Sequence, residues 1–231
     1  MSANPKTVPQ LPLELPHRAA QGAEDFLVSR SNAAAVEVVD AWPDWSYPAV
    51  LVTGPRGSGK SHLANVWRLR SGAHVVPASS LGDPSIADFE SHRALVVEDV
   101  DRGIGGEQIL FHLLNLARER KYAILLTSRA APGDIAITLP DLRSRLRALP
   151  IAPIEPPDEG LLKAVLVKLF SDRQLAVEPH IVSYLALHMD RSMEIANRVV
   201  AAVDRLSLAK QRKVTRAIAA EVLALIGSDS E

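Results

Sequence analysis

Gly54-Pro55-Arg56-Gly57-Ser58-Gly59-Lys60-Ser61 has the spacing GxxxxGKS, a set of residue types suited to holding a phosphate chain. Glycines let the backbone turn its N–H groups toward the anion. Lys60 reaches the β- and γ-phosphates, and Ser61 offers a hydroxyl to Mg²⁺. The apolar, β-branched run Ala49-Val50-Leu51-Val52-Thr53 feeds this loop, and the helix-compatible His62-Leu63-Ala64-Asn65-Val66-Trp67 leaves it. A helix N-terminus would therefore point at the phosphates. Gly54, Arg56, Gly57, Ser58, Gly59, Lys60, Ser61 and His62 are the candidate nucleotide-binding residues, with ADP or ATP and Mg²⁺ as expected ligands.

A second group of candidates closes a later strand. In Arg93 to Asp101, four apolar residues precede Glu98-Asp99, the Walker B arrangement in which one acid serves Mg²⁺ and the next the attacking water. The usual order is Asp-Glu, and here it is reversed. Glu98 is expected on the metal side with Ser61, and Asp99 on the water or a finger's partner; the alternative is a pair of solvated acids in a loop. Tyr122 to Ser128 reads as a third strand tipped by Thr127 and Ser128, whose hydroxyls either contact nucleotide or cap the next loop. Arg143, Arg145 and Arg147 follow at spacing two. On a helix, neighbours at that spacing lie about 200° apart, so the three cannot share one site.

These residues need a parallel α/β sheet to bring them together. Helices are expected from Ala33 to Ala41, Asp83 to Glu90 and Glu107 to Arg120, with a short buried strand at Ala73–Pro77 and a last one at Ile151–Ile154. Phe26, Leu27 and Val28 are candidates to wall the nucleotide base. Pro153, Pro156 and Pro157 mark a boundary, and beyond Asp158 four amphipathic segments form a small helical lid. The expected organisation is an arm over 1–24, a P-loop domain over 25–155 and the lid over 156–231. In the proline-rich arm, Gln10-Leu11-Pro12-Leu13-Glu14-Leu15 sets three leucines on one side of an extended strip, suited to a partner's groove or to packing on the parent domain.

Composition narrows the function. The 231-residue chain has a net charge of −1 and 4 % aromatic residues, which argues against autonomous nucleic-acid binding by bulk charge or base stacking. It has no cysteine, hence no disulfide framework, and no apolar run of membrane-spanning length. A cytoplasmic location is expected.

The order of P-loop, acid-tipped strand, hydroxyl-tipped strand, Ser144-Arg145-Leu146 segment and helical lid resembles an AAA+ ATPase. Asp25-Phe26 with Ser31-Asn32, Leu125-Leu126-Thr127-Ser128, Leu142-Arg143-Ser144-Arg145-Leu146 and Ile154-Glu155-Pro156-Pro157 resemble the ATPase core of the bacterial replication initiator DnaA, over roughly residues 20–226. Gln10 to Leu15 resembles the QLxLxL form of the sliding-clamp docking motif. Together these features are similar to the Hda-like, DnaA-related AAA+ family of regulators, which lack DnaA's origin-binding helix-turn-helix domain.

The resemblance implies that Gln10, Leu11, Leu13 and Leu15 anchor the chain to the DNA polymerase III sliding clamp (beta subunit). It also implies that Arg145 enters the active site of ATP-bound DnaA as a finger in trans, an effect worth ~10³–10⁵ in rate. Direct sequence-specific DNA binding is not expected; a homo-oligomer is possible. Two departures stand out: Glu194 occupies the place of the lid's sensor 2 arginine, with Arg191 and Arg198 nearby, and Arg129 replaces an acid after Thr-Ser. Both push toward an ADP-holding or weakly hydrolysing site. The competing readings are an autonomous ATPase such as a helicase loader, a P-loop kinase, and an ADP-bound adaptor without catalytic effect.

Overall fold

The computed structural model describes residues 26–228. The Gln10, Leu11, Leu13 and Leu15 docking motif lies outside them. Five parallel strands form one sheet in the order β2-β3-β4-β1-β5: β1 (Ala49–Thr53), β2 (His74–Pro77), β3 (Ala94–Glu98), β4 (Ala123–Ser128) and β5 (Ile151–Pro153). The register pairs Thr53 with Ser128 and Val97 with Leu126. The C-terminal ends of β1, β3 and β4 thus come side by side, the edge of a parallel sheet where ligands are taken.

Side-chain alternation along these strands builds two cores. Leu51, Leu95, Val97, Ile124 and Leu126 face α3 (Pro84–His92), α4 (Glu107–Arg120) and α5 (Pro140–Arg147). Val50, Val52, Val96 and Leu125 face α1 (Ala33–Asp40) and α2 (Lys60–Ser71). Burial on both sides explains why the central strands read as unbroken apolar runs. Trp67 of α2 is 1 % exposed and stacks on Trp45 at 5.3 Å, with Trp42 edge-on at 6.0 Å. β2 corrects the expectation of a buried strand: it is the sheet edge, and only Val76 of its four residues is buried.

After Pro156 and Pro157, α6 (Glu159–Asp172), α7 (Pro179–His188), α8 (Met193–Lys210) and α9 (Arg216–Ser228) close around a third core that includes Leu166, Phe170, Leu185, Val199 and Val203. Local chemistry fixes where these helices begin. Asp158 accepts from Leu161 N at 2.8 Å at the start of α6, Pro179 occupies the first turn of α7, and Ser192 caps α8. Among the described residues no helix is long and apolar enough to cross a membrane. Phe170, 2 % exposed in the lid core, is a test of that packing. Phe170→Ala should destabilise the helical unit by ~3–5 kcal/mol, read from urea unfolding monitored by circular dichroism.

Candidate nucleotide-binding site

The loop between β1 and α2 wraps tightly because two of its glycines leave no room for a side chain. A Cβ on Gly54 would lie 2.4 Å from the Ile154 carbonyl oxygen, and one on Gly57, at φ 70°, would lie 2.0 Å from Ser192 Oγ. Lys60 opens α2 and is 7 % exposed, its Nζ donating to the carbonyls of Gly54 at 2.7 Å and Pro55 at 2.8 Å. Burial, with Arg129 adding to it, pulls the Lys60 ammonium below the ordinary lysine range, while Asp99 and Asp101 oppose that shift. Ser58 Oγ is buried without a hydrogen-bond partner. A buried hydroxyl and a buried ammonium satisfied only by its own loop are what a phosphate-holding turn presents when its anion is not engaged.

The lid seats directly on this loop. Met193 N donates to the Gly57 carbonyl at 2.7 Å, and the Arg56 guanidinium grips the Glu194 carboxylate through two bonds, Nε to Oε2 at 2.7 Å and Nη2 to Oε1 at 2.5 Å. Arg56, with Arg198 and Arg129 contributing, holds the Glu194 carboxyl below the usual glutamate range against a smaller opposing effect of burial.

Two adjoining cavities lie along the contact between loop and lid. One, of ≈ 290 Å³, is walled by Phe26, Leu27, Asn32 and His62 on one side and by Leu161 and Val165 of α6 on the other. The second, of ≈ 410 Å³, is lined by Lys60, Ser61, Asp99, Arg129 and Glu194. They share Gly59, His62, Met193 and Asn197 and so form the two ends of one cleft, one largely apolar and one charged. Asn32 shapes the apolar end: its Oδ1 accepts from Ser29 N at 2.8 Å and its Nδ2 donates to the Leu27 carbonyl at 2.9 Å. That clamp presents Phe26, which meets His62 edge-on at 5.1 Å.

The structure sorts the sequence-derived candidates. Arg56, Gly57, Gly59, Lys60, Ser61, His62 and Asp99 line the charged end, and Ser58 the apolar end. Gly54 instead underlies the loop as the acceptor for Lys60. Val28 does not line the cleft; it packs toward the core under α1 and α2, and Leu27 takes the place expected of it. Glu98 is likewise absent from the lining. β3 ends at Glu98, and Asp99 turns out of the strand at φ 57°, its amide held by Thr127 Oγ1 at 3.0 Å. The Thr127 and Ser128 hydroxyls are both 0 % exposed: the first fixes Asp99, and the second exchanges hydrogen bonds with Ala130. Of the two roles read for them, loop closure is the one observed.

Arg145 is half-buried on α5, donating to Asn115 Oδ1 at 2.9 Å with its guanidinium 5.8 Å from the Phe111 ring centre. It lines neither end of the cleft. Arg143, on another face, donates to the Ile137 carbonyl. Sequence reasoning missed Glu107, whose carboxylate accepts from Thr138 N at 2.9 Å, Thr138 Oγ1 at 2.7 Å and Leu139 N at 2.6 Å. These bonds, first the Thr138 amide, lower its pKa and pin the segment entering α5. An isolated Glu at a helix start carries no mark of a partner 31 residues on. The lid's contribution to the apolar end was also missed, since Leu161 and Val165 belong to the same stripe as the lid core.

A five-stranded parallel sheet with a phosphate-type loop, an acid beside it and a helical lid defines an AAA+ P-loop fold. No protein-family model matches the chain. It is similar to the chromosomal replication initiator protein DnaA of Cutibacterium acnes, 26 % identical over 226 residues, which span 87 % of this chain and 45 % of that protein. Among solved structures it is similar to domain III of Thermotoga maritima DnaA, with TM-score 0.72, 20 % identity, and 87 % and 95 % of the two chains covered. It is also similar to AMPPCP-bound DnaA from Aquifex aeolicus, with TM-score 0.64, 20 % identity, and 81 % and 65 % covered. The chain thus carries DnaA-like AAA+ homology. It spans about half the length of the curated relatives it matches.

The loop–lid pair has a defined pH signature. Because Glu194's folded value lies below its unfolded one, its contribution is complete above the ordinary glutamate range and is lost as pH falls through the lowered value. A carboxyl-carbon NMR titration should place Glu194 below the other exposed glutamates, and Arg56→Ala should return it to their range.

Proposed function

We propose that this protein is a nucleotide-holding AAA+ regulator of the Hda-like kind, which docks on the sliding clamp and stimulates hydrolysis of ATP bound to DnaA. The observation that carries this reading is the Arg56–Glu194 pair: the lid brings a carboxylate to the phosphate loop, where hydrolysis in cis would call for a cation. Nucleotide binding itself draws on the unpartnered Ser58 hydroxyl, the buried Lys60 ammonium and the glycine turn. ADP or ATP would lay its base between Phe26, Leu27 and the α6 side chains, and its phosphates against Lys60. Ser61 would offer its hydroxyl to Mg²⁺, with Asp99, the acid on the cleft wall, taking the place first given to Glu98. Bound Mg²⁺ would neutralise phosphate charge.

Arg145 then acts on another molecule's nucleotide. Its position outside this chain's own cleft supports that assignment, and its planar fork suits the charge spread over a transferring phosphoryl group. Contact with DnaA would draw it away from Asn115 and Phe111. Gln10, Leu11, Leu13 and Leu15 supply the clamp-docking half of the proposal from sequence alone. A second reading, an autonomous ATPase such as a helicase loader, draws on Asp99 in the cleft; brisk turnover by the purified chain alone would select it.

Two measurements test the proposal. Conversion of DnaA-bound ATP to ADP should accelerate when this protein and DNA-loaded clamp are both present, and Arg145→Ala should return the rate to the unstimulated level, a fall of up to ~10³–10⁵. The double variant Gln10→Ala, Leu11→Ala should lose clamp binding in a pull-down and lose stimulation with it. Full stimulation by both variants would overturn the reading.

A further inference from the structure

The charged end of the cleft contains a cation that the phosphate-loop pattern does not supply. Arg129 follows the last residue of β4, the strand paired with β1, so it emerges beside the start of the phosphate loop. Its amide is fixed by Asp101 Oδ1 at 2.9 Å, and the Ser128–Ala130 hydrogen bonds lock the turn on either side. Its side chain is exposed into the cleft, together with Lys60, Ser61 and Asp99. It makes no ion pair among the described residues.

The local charge is unbalanced. Arg56, Lys60 and Arg129 line this end against two carboxylates, Asp99 and Glu194, and Glu194 is already gripped by Arg56. Lys60 and Arg129 lie close enough to disfavour one another's charge, an arrangement that an anion between them would relieve. Arginine cannot shed its proton to escape that repulsion. The residue that sequence comparison marks as a lost acid is, in place, an added cation.

We propose that Arg129 is the side chain by which this cleft recognises the terminal phosphate of a nucleoside triphosphate, standing in for the cation that the lid lacks. The assignment rests on the reading of the cleft as a nucleotide site. It makes the chain selective between triphosphate and diphosphate through the tip of β4 instead of through α8. The geometry suits discrimination: Lys60 serves the phosphates common to both nucleotides, whereas Arg129, across from it at the end of the neighbouring strand, is placed to meet only a chain that extends further.

The test is a titration calorimetry series on the full chain with Mg²⁺, ADP and the non-hydrolysable triphosphate AMPPCP. A charge-assisted hydrogen bond to phosphate makes Arg129→Ala expected to shift the AMPPCP-to-ADP affinity ratio by roughly tenfold or more toward ADP. Arg129→Lys should restore part of the shift. Lys60→Ala should weaken both ligands together, which separates loss of the common phosphate site from loss of selectivity. An unchanged ratio in Arg129→Ala, or an equal loss for both ligands, overturns the proposal. A wild-type chain that binds neither nucleotide overturns the nucleotide reading beneath it, and this one with it.

Discussion

The hydrogen bond from Met193 N to the Gly57 carbonyl is the joint on which the two halves of this molecule meet. The sheet domain and the helical bundle each bury their own core, so neither needs the other to exclude water from its apolar side chains. What remains between them is polar and small. The Arg56–Glu194 pair is solvent-exposed, and its attraction is correspondingly screened. Seating of the lid therefore depends on close fit at one glycine more than on charge. A loop that must turn its amides toward phosphate also gives a carbonyl to the lid, and any ligand that reshapes the loop alters the seat.

Charge bookkeeping within the cleft follows from the same contact. A buried ammonium must keep partners, and Lys60 finds them in the carbonyls of Gly54 and Pro55, the groups that shape the loop it would serve. An arriving phosphate would exchange those neutral acceptors for charged ones, strengthening the bond and freeing the carbonyls. Glu194 works against this from the lid side, as a carboxylate brought toward an anion site and tolerated because Arg56 neutralises it. The cleft thereby separates two tasks that a lid arginine would combine, leaving the lid to close on the loop and the sheet edge to supply cations.

Much of this was legible in the sequence, for local reasons. β1 and α4 have their expected limits, because a glycine turn ends the first and a heptad-like apolar spacing with terminal basic residues delimits the second. The phosphate loop announced itself by residue type. What escaped notice depended on pairing between distant segments. Ala73–Pro77 looks like an interior strand until the sheet order puts it at an edge, and Val28 looks like Leu27 until the Asn32 clamp decides which faces the cleft. Glu98 and Asp99 are interchangeable on paper. Strand alternation sends Glu98 to the face it shares with Val96, and only the left-handed turn at Asp99, secured by a hydroxyl 28 residues away, brings that acid round to Lys60. Arg129 was legible as a departure from a pattern but not as a gain, since its meaning lies in what stands opposite it.

Arg129 and Arg145 belong to one stretch of chain, the passage from the tip of β4 through the loop into α5. Its head is tied down by Asp101, which holds the Arg129 amide, and its tail by Glu107, which takes the Thr138 and Leu139 amides together. Both acids lie on the segment after β3, the strand that carries Asp99 at its end. Three acids within nine residues thus fix, in turn, the charged wall of the cleft, the root of one arginine and the approach to the other. A carboxylate that accepts from main-chain amides is bound to a position in space and not to a rotamer, so these anchors locate backbone while leaving the guanidinium heads able to swing. Moving one arginine's backbone independently of the other's would require breaking the Asp101 or the Glu107 hydrogen bonds. The separation between a cation turned into the chain's own cleft and one turned away from it is thereby built into the covalent order of a single loop.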